Sequence, residues 1–270
     1  MEHLEVWAVT GLMVLLGSLE ALAGCLKGRR PKEELWVDAL SLAQFAGLIK
    51  PAIVLMAAYA VMWVAPSWTP LATWPLPLAV VVYVLVADLL HYGYHRLAHT
   101  SALFWQLHKT HHTATAMSIS VSYRENWVYF LLMPDLWLAG VLIALGGAEI
   151  VMIGPLIFGL ANVLIHSAFA WDAWLFSHPW VAPVGRILER LVQLPSTHRA
   201  HHALVDEQGR PPHVNFGQLL MVWDVVFRTA ALPHGRSPQA YGIDPSQEES
   251  WARQLWMPRV LKAGNDRPAS

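Results

Sequence analysis

Apolar residues run along this chain in blocks, and five blocks are long enough to cross or deeply enter a bilayer, which takes about 20 helical residues. They cover roughly 5–26, 39–65, 76–92, 127–146 and 150–171. The second contains Lys50-Pro51, which predicts either a kink or an insertion that begins only at Pro51. The fourth is interrupted by Pro134-Asp135 and the fifth by Pro155. The short link Gly146-Gly147-Ala148-Glu149 makes that pair a helical hairpin, with a shorter re-entrant insertion as the alternative.

Polar intervals between the blocks set an orientation, because basic residues near membrane ends favour the cytoplasm. Lys27, Arg29, Arg30 and Lys32 place the first connection inside, whereas PSWTPLATWP (66–75) has no charge and belongs outside. The third helix then returns inward, the hairpin goes out and back, and everything after about 172 is inside. Arg96, Lys109, Arg124, Arg186, Arg190 and Arg199 all fall on that side. Leu22-Ala23-Gly24-Cys25 has the look of a lipoprotein cleavage site. The start MEHLE lacks a positive n-region, however, and Glu20 sits close to the would-be cut, so the segment reads as a retained helix. The organisation expected is one integral-membrane domain over 1–260, its C-terminal third forming a cytoplasmic helical cap, and a flexible tail at 261–270.

Of the 270 residues, 55% are hydrophobic and only 14% charged, which fits that picture. A net charge of −1 offers nothing to nucleic acid. Cys25 is the only cysteine, so there is no disulfide framework and no thiolate metal site. Any metal must be held by nitrogen or oxygen.

Fourteen histidines stand out against this background. His108, His111 and His112 stand at i, i+3 and i+4, as do His198, His201 and His202. On a helix that spacing puts three rings on one face, within reach of a common point. Random placement would produce one such triplet roughly 0.04 times per chain, so two point to selection. His95 and His99 form another i, i+4 pair, and His91 extends the stripe by one turn, its role left open. Imidazole suits iron, zinc or copper. Crowded rings without a metal would repel one another on protonation and gain little when neutral, which weighs against a simple pH sensor. One ion takes four to six ligands, so these arrays call for two. An all-nitrogen set with positions left for oxygen fits iron, and HExxH is absent. His3, His178, His213 and His234 read as structural or solvent-facing.

Taken together, DLLHYGYHRLAHTSALFWQLHKTHH (88–112), LPSTHRAHH (194–202), NFG (215–217) and VWDVVFRT (222–229) resemble the fatty acid hydroxylase/sterol desaturase superfamily over about 75–242. The resemblance implies an all-α polytopic membrane bundle with a histidine-lined di-metal site. It further implies two iron ions, O2 as co-substrate, and hydroxylation or desaturation of a lipid C–H bond, whether sterol, fatty acyl or related. Its first box selects His95 and His99, and its remaining boxes select the two triplets. A histidine on the intervening membrane helix matches His166, with Asn162 one turn earlier as a further candidate. Gly93 stands where an aromatic is common and Arg228 where the closing motif usually has Gly, which leaves the substrate class open.

Around the arrays, Asp88 and Asp224 are candidate acceptors for ring N–H groups, and Phe104, Trp105, Tyr123 and Trp127 either line a lipid path or anchor at the interface. No G-x-G-x-x-G follows a strand and no haem motif appears, so electrons are expected from a separate ferredoxin, cytochrome or reductase. Arg96, Lys109, Arg186, Arg190 and Arg199 offer such a partner a landing patch, or simply form a solvated rim. A bacterial inner membrane is the expected location, with the endoplasmic reticulum as alternative, and the oligomeric state is open. Three rivals remain: a carotenoid hydroxylase or ketolase with the same chemistry, a zinc-binding membrane hydrolase, and a metal transporter.

Overall fold

The computed structural model describes residues 4–25, 30–206, 208–247 and 249–256. Lys27 and Arg29 of the proposed topogenic cluster, His3, and the tail 261–270 lie outside the described residues.

Among the described residues the chain is helical, with only two isolated β-bridges, Val192 to Leu220 and Ala203 to Tyr241. Helix α1 spans Leu4–Leu22. Helix α2 (Lys32–Gln44), a π turn (Phe45–Ile49) and α3 (Lys50–Val64) succeed one another without a break, as one rod from Lys32 to Val64. The rod thus begins seven residues before the expected 39, because Glu33 and Glu34 occupy its first turn, where acidic groups suit the helix dipole. Pro51 neither starts nor breaks it. Its missing N–H falls just after the π turn, where Lys50 N–H already reaches back to the Phe45 carbonyl.

Helix α4 (Leu76–Thr100) runs past the expected end at 92 and carries His91, His95 and His99 on its own last turns. Its outer face shows Leu78, Val81, Leu85, Leu89 and Leu90, all exposed, and then Arg96. From Leu76 to Arg96 is about 30 Å of helix, the depth of a hydrocarbon core. Among the described residues three helices are long and apolar enough to cross a membrane: Lys32–Val64, Leu76–Thr100 and Ala148–His166. Apolar side chains left this exposed, such as Leu55 and Trp63 on α3, need lipid against them. The chain is an integral membrane protein.

The expected fourth block divides at Met133 into α6 (Trp127–Leu132) and α7 (Pro134–Ala144), with Pro134 at the N1 position it favours. Helix α7 is about 16 Å long, half a bilayer. A turn with Gly146 at φ +86° leads into α8 (Ala148–His166), which stops at Ser167 rather than 171. Helix α3 packs along α7, and α1 along α8. Gly140 makes the first approach possible: a Cβ there would lie 2.3 Å from the Val54 carbonyl oxygen. Short helices form the cap: α5 (Ala102–His112), α9 (Ala173–Ser177), α10 (Ala182–Leu191), α11 (Pro195–His201), α12 (Val222–Val226) and α13 (Trp251–Trp256).

One polar system fastens membrane helices to cap. Glu20 on α1 is fully buried and accepts from the Ser118 and Ser167 hydroxyls and the Ala168 N–H. Arg30 and Arg124 both pair with Glu34 and Asp38 on α2, at 2.8 to 3.3 Å. The Arg124 guanidinium also donates to the Thr110 carbonyl of α5. Helix α5 and the loop after it are thereby tied to α2.

Candidate metal centre

Four helix ends converge. Helix α4 presents His95 and His99, α5 presents His108, His111 and His112, α8 ends on His166, and α11 with the residue after it presents His198, His201 and His202. Their ligand atoms fall into two groups, each with all members within 4.8 Å of one another. One holds His95, His99, His108, His112 and His201, the other His111, His166, His198 and His202. The groups adjoin, since the His112 and His202 rings stack at 4.4 Å. All nine rings are buried.

Their tautomers follow from their partners. The Nδ1 atoms of His95, His111, His166 and His201 lie 2.7 to 3.2 Å from the carbonyl oxygens of Phe216, Arg124, Asn162 and Val214. A carbonyl only accepts, so the proton is on Nδ1 and each Nε2 keeps a bare lone pair. His111 and His166 nevertheless aim those Nε2 atoms at each other, 3.4 Å apart, an arrangement that cannot be a hydrogen bond. His198 Nε2 lies 2.8 Å from His166 Nε2 and 3.1 Å from His202 Nε2. Nitrogens bound at about 2.1 Å to one ion are spaced by about 3.0 Å (octahedral) to 3.4 Å (tetrahedral). In the other group, the Nε2 atoms of His95, His99 and His201 are buried without any protein partner. The donor set fits two cations.

Burial holds the rings neutral and ready to bind. It lowers His108, His111, His112, His198 and His202 well below the usual imidazole range, and His201 to about 4. One carboxylate joins them: Glu125 Oε1 accepts from His108 Nδ1 at 2.9 Å and lies 3.8 Å from His111 Nδ1. Burial alone pushes the Glu125 carboxyl up, so a nearby positive charge is what would keep it ionised. Sequence pattern does not single out Glu125, because it shares no spacing with the histidines; only its place beside Arg124 in the loop after α5 marks it.

Asp88 and Asp224 do not take ring protons directly. Asp88 accepts from the backbone N–H groups of Leu219 and Leu220. Asp224 accepts from those of Phe216 and Gly217 and from the Thr229 hydroxyl. They shape the 215–220 loop, whose Phe216 carbonyl then orients His95, so they act one bond further out than expected. In the same region Asn215 and Arg228 have φ of 58° and 61°. That left-handed backbone explains why Gly is common at the Arg228 position, and a non-glycine there costs about 1 kcal/mol.

His91 belongs to neither group of histidines. It instead faces Asp135 at 3.7 Å. Asn162 uses its amide on the Ser122 carbonyl. Nor do all the basic residues form a surface patch: Lys109 is buried in an ion pair with Glu249, and Arg199 donates to the Ser167 and Ala168 carbonyls. Arg96, Arg186 and Arg190 remain exposed. Of the aromatics, Trp105 lies against the His99 and His112 rings, Tyr123 stacks on Phe45, Phe104 packs on Tyr94, and Trp127 donates to the Trp256 carbonyl. His178 is exposed and His234 pairs with Glu189, whereas His213 is half-buried 6.1 Å from His99.

Two cavities meet the centre. One, of about 120 Å³, runs from His95, His111 and His198 between apolar walls that include Phe45, Phe130 and Phe158. The other, of about 230 Å³, reaches His99, His112 and His201 from the cap, past Trp105 and His213.

Known proteins are similar to this chain. An alkylglycerol monooxygenase from Caenorhabditis elegans is 26% identical over 189 residues, 68% of this chain and 33% of that protein. Ornithine lipid hydroxylase OlsE from Rhizobium tropici is 26% identical over 185 residues, 68% of this chain and 51% of that protein. A beta-carotene hydroxylase from Paracoccus sp. is 29% identical over 154 residues, 52% of this chain and 80% of that protein. The chain thus spans a third to a half of the first two relatives. No solved structure matches it. The fatty acid hydroxylase family model matches residues 80–229, from the membrane half of α4 through every clustered histidine to the Thr229 that closes the 215–220 loop. With more than half its length so matched, and its nine rings gathered inside that stretch, this chain belongs to the fatty acid hydroxylase family.

Proposed function

We propose that the chain is a membrane-bound di-iron oxygenase that hydroxylates a lipid C–H bond, with electrons from a separate donor. The carrying observation is the pair of nitrogen clusters, five rings and four, with Nε2 lone pairs aimed at two neighbouring points. The balance is one C–H bond, one O2, two electrons and two protons giving an alcohol and a water. Two iron ions bound there would supply the activation of O2 and the removal of hydrogen from an unactivated carbon.

The protein does the rest. Carbonyls of Phe216, Arg124, Asn162 and Val214 lock ring orientation, so each lone pair is placed before any metal arrives. Among the described residues Glu125 is the carboxylate that pairs with the clustered rings, and the buried cap surrounds them. A lipid would reach the rings along the cleft between Phe45, Phe130 and Phe158, with the centre on the cytoplasmic side of the membrane.

The names of the relatives favour hydroxylation over desaturation. Metal analysis and oxygen uptake on the purified full chain test the reading. About two irons per chain, with oxygen consumed only when both reductant and lipid are present, is the expected result. One zinc per chain with reductant-independent activity would overturn it.

A further inference from the structure

Where the lipid cleft meets the clustered rings, it is not apolar. Three ionisable residues line it that the proposed chemistry does not use: Lys50, His91 and Asp135. Lys50 lies midway along the Lys32–Val64 rod, and Asp135 in the first turn of the apolar helix α7. Ionisable groups in such segments are costly to bury and persist where they face a pathway or a ligand.

For two of them, His91 and Asp135, hydrogen bonding is incomplete among the described residues. His91 is 92% buried, since 8% of its surface is exposed, yet its Nδ1 has no hydrogen-bond partner. Asp135 Oδ1 has none either, and the two atoms stand 3.7 Å apart, too far for a bond between them. A hydroxyl beside the pair can serve both, because its O–H donates to the carboxylate while its oxygen accepts from the imidazole; an amide does the same through its N–H and its carbonyl oxygen. A hydrocarbon chain satisfies neither. The His91 ring is 5.6 Å from that of His95, so a group held here lies only a few bonds from a carbon at the centre.

We infer that Asp135 and His91, with Lys50 on the same wall, form a polar subsite for a lipid bearing a hydroxyl or amide close to the carbon that is oxidised. The substrate is then a polar lipid and not a pure hydrocarbon. This rests on the reading of the cleft as the lipid site. It separates two of the relatives' chemistries, since alkylglycerols and ornithine lipids carry such groups and beta-carotene carries none.

The test is equilibrium binding to the full chain in nanodiscs, which needs no turnover. Tritiated 1-O-hexadecylglycerol is the probe, and unlabelled 1-O-hexadecylglycerol, 1-hexadecanol and hexadecane compete with it. The two polar competitors are expected to displace the probe at least about tenfold better than hexadecane, the worth of one charge-assisted hydrogen bond. In Asp135→Asn and in His91→Phe that preference should fall to within about threefold, with hexadecane competition and iron content unchanged. Asp135→Asn is nearly isosteric, so it reports even where His91→Phe disturbs packing. Equal competition by hexadecane in the unaltered protein, or an undiminished preference in both variants, overturns the polar subsite alone. No saturable lipid binding at all overturns the lipid cleft as well.

Discussion

Replacing Glu125 by Gln isolates the contribution of one charge to the centre. The amide fills the same volume and its oxygen still accepts from His108 Nδ1, so the ring stays oriented while the negative charge disappears. Glu125 Oε1 is 2.9 Å from His108 Nδ1, and the imidazole with its metal bond adds about 4 Å. A carboxylate about 7 Å from a divalent ion gains about 5 kcal/mol at an effective dielectric of 20. Much of that is offset, because the same burial that pushes the Glu125 carboxyl up makes its charged form costly in the folded protein. A residual of about 1.4 to 2.7 kcal/mol remains, or about 10- to 100-fold in metal affinity, the usual scale for groups that hold a ligand's far nitrogen. Competition against a chromogenic ferrous chelator at fixed pH measures it. Glu125→Gln should bind iron more weakly by that factor and Glu125→Ala by more, since it also releases His108. An affinity for Glu125→Gln within about threefold of the unaltered protein would refute the charge argument, leaving only a packing role.

His111→Ala and His201→Ala should each lose iron and turnover, because each removes one lone pair from a cluster, whereas His234→Ala should do neither; iron content per chain is the check. His91→Ala should keep its iron, since His91 belongs to neither cluster. Arg124→Met leaves Glu34 and Asp38 short of one partner in the protein interior and should cost about 3 to 5 kcal/mol, read from thermal unfolding in detergent. Adding Glu34→Gln and Asp38→Asn should recover part of that loss. Protons and metal compete for the same lone pairs, and burial lowers the rings, His201 to about 4. In an acid titration iron should therefore stay bound to lower pH than on ligands of ordinary imidazole basicity, for which proton competition sets in near about 6.5. Release beginning at the ordinary value would contradict the burial argument.

The histidine triplets were legible because helical spacing is a strong constraint: i, i+3 and i+4 place three rings on one side of a helix, and His108 to His112 and His198 to His202 both do so. His166 was not legible from spacing, and it took the resemblance to single it out at the foot of α8. Helix α4 was foreseen as far as 92 and continues to Thr100, because its inner face changes from apolar to imidazole without changing period. Glu125, and the roles of Asp88 and Asp224, were illegible for a different reason. Asp88 and Asp224 act through backbone atoms and loop shape, and Glu125 reaches His108 only because its loop is held by residues far away in the chain, as with Ser41 at Glu125 and Asp88 at Leu219. Lys109 and Arg199 show the converse error, since charge alone does not reveal that a cation is already matched inside the fold.

The π turn at Phe45–Ile49 adds one residue to a helical revolution, so it rotates α3 by about 100° about the rod axis relative to α2. Below it, Glu34 and Asp38 grip the arginines; beyond it, Ile53 and Ala57 are buried, with Ala57 against Gly140 of α7. The two duties need different azimuths on a single rod, and the wide turn reconciles them. Excising one amino acid there would leave hydropathy and length almost untouched, yet the rod could then satisfy its acid clasp or its seat on α7, not both.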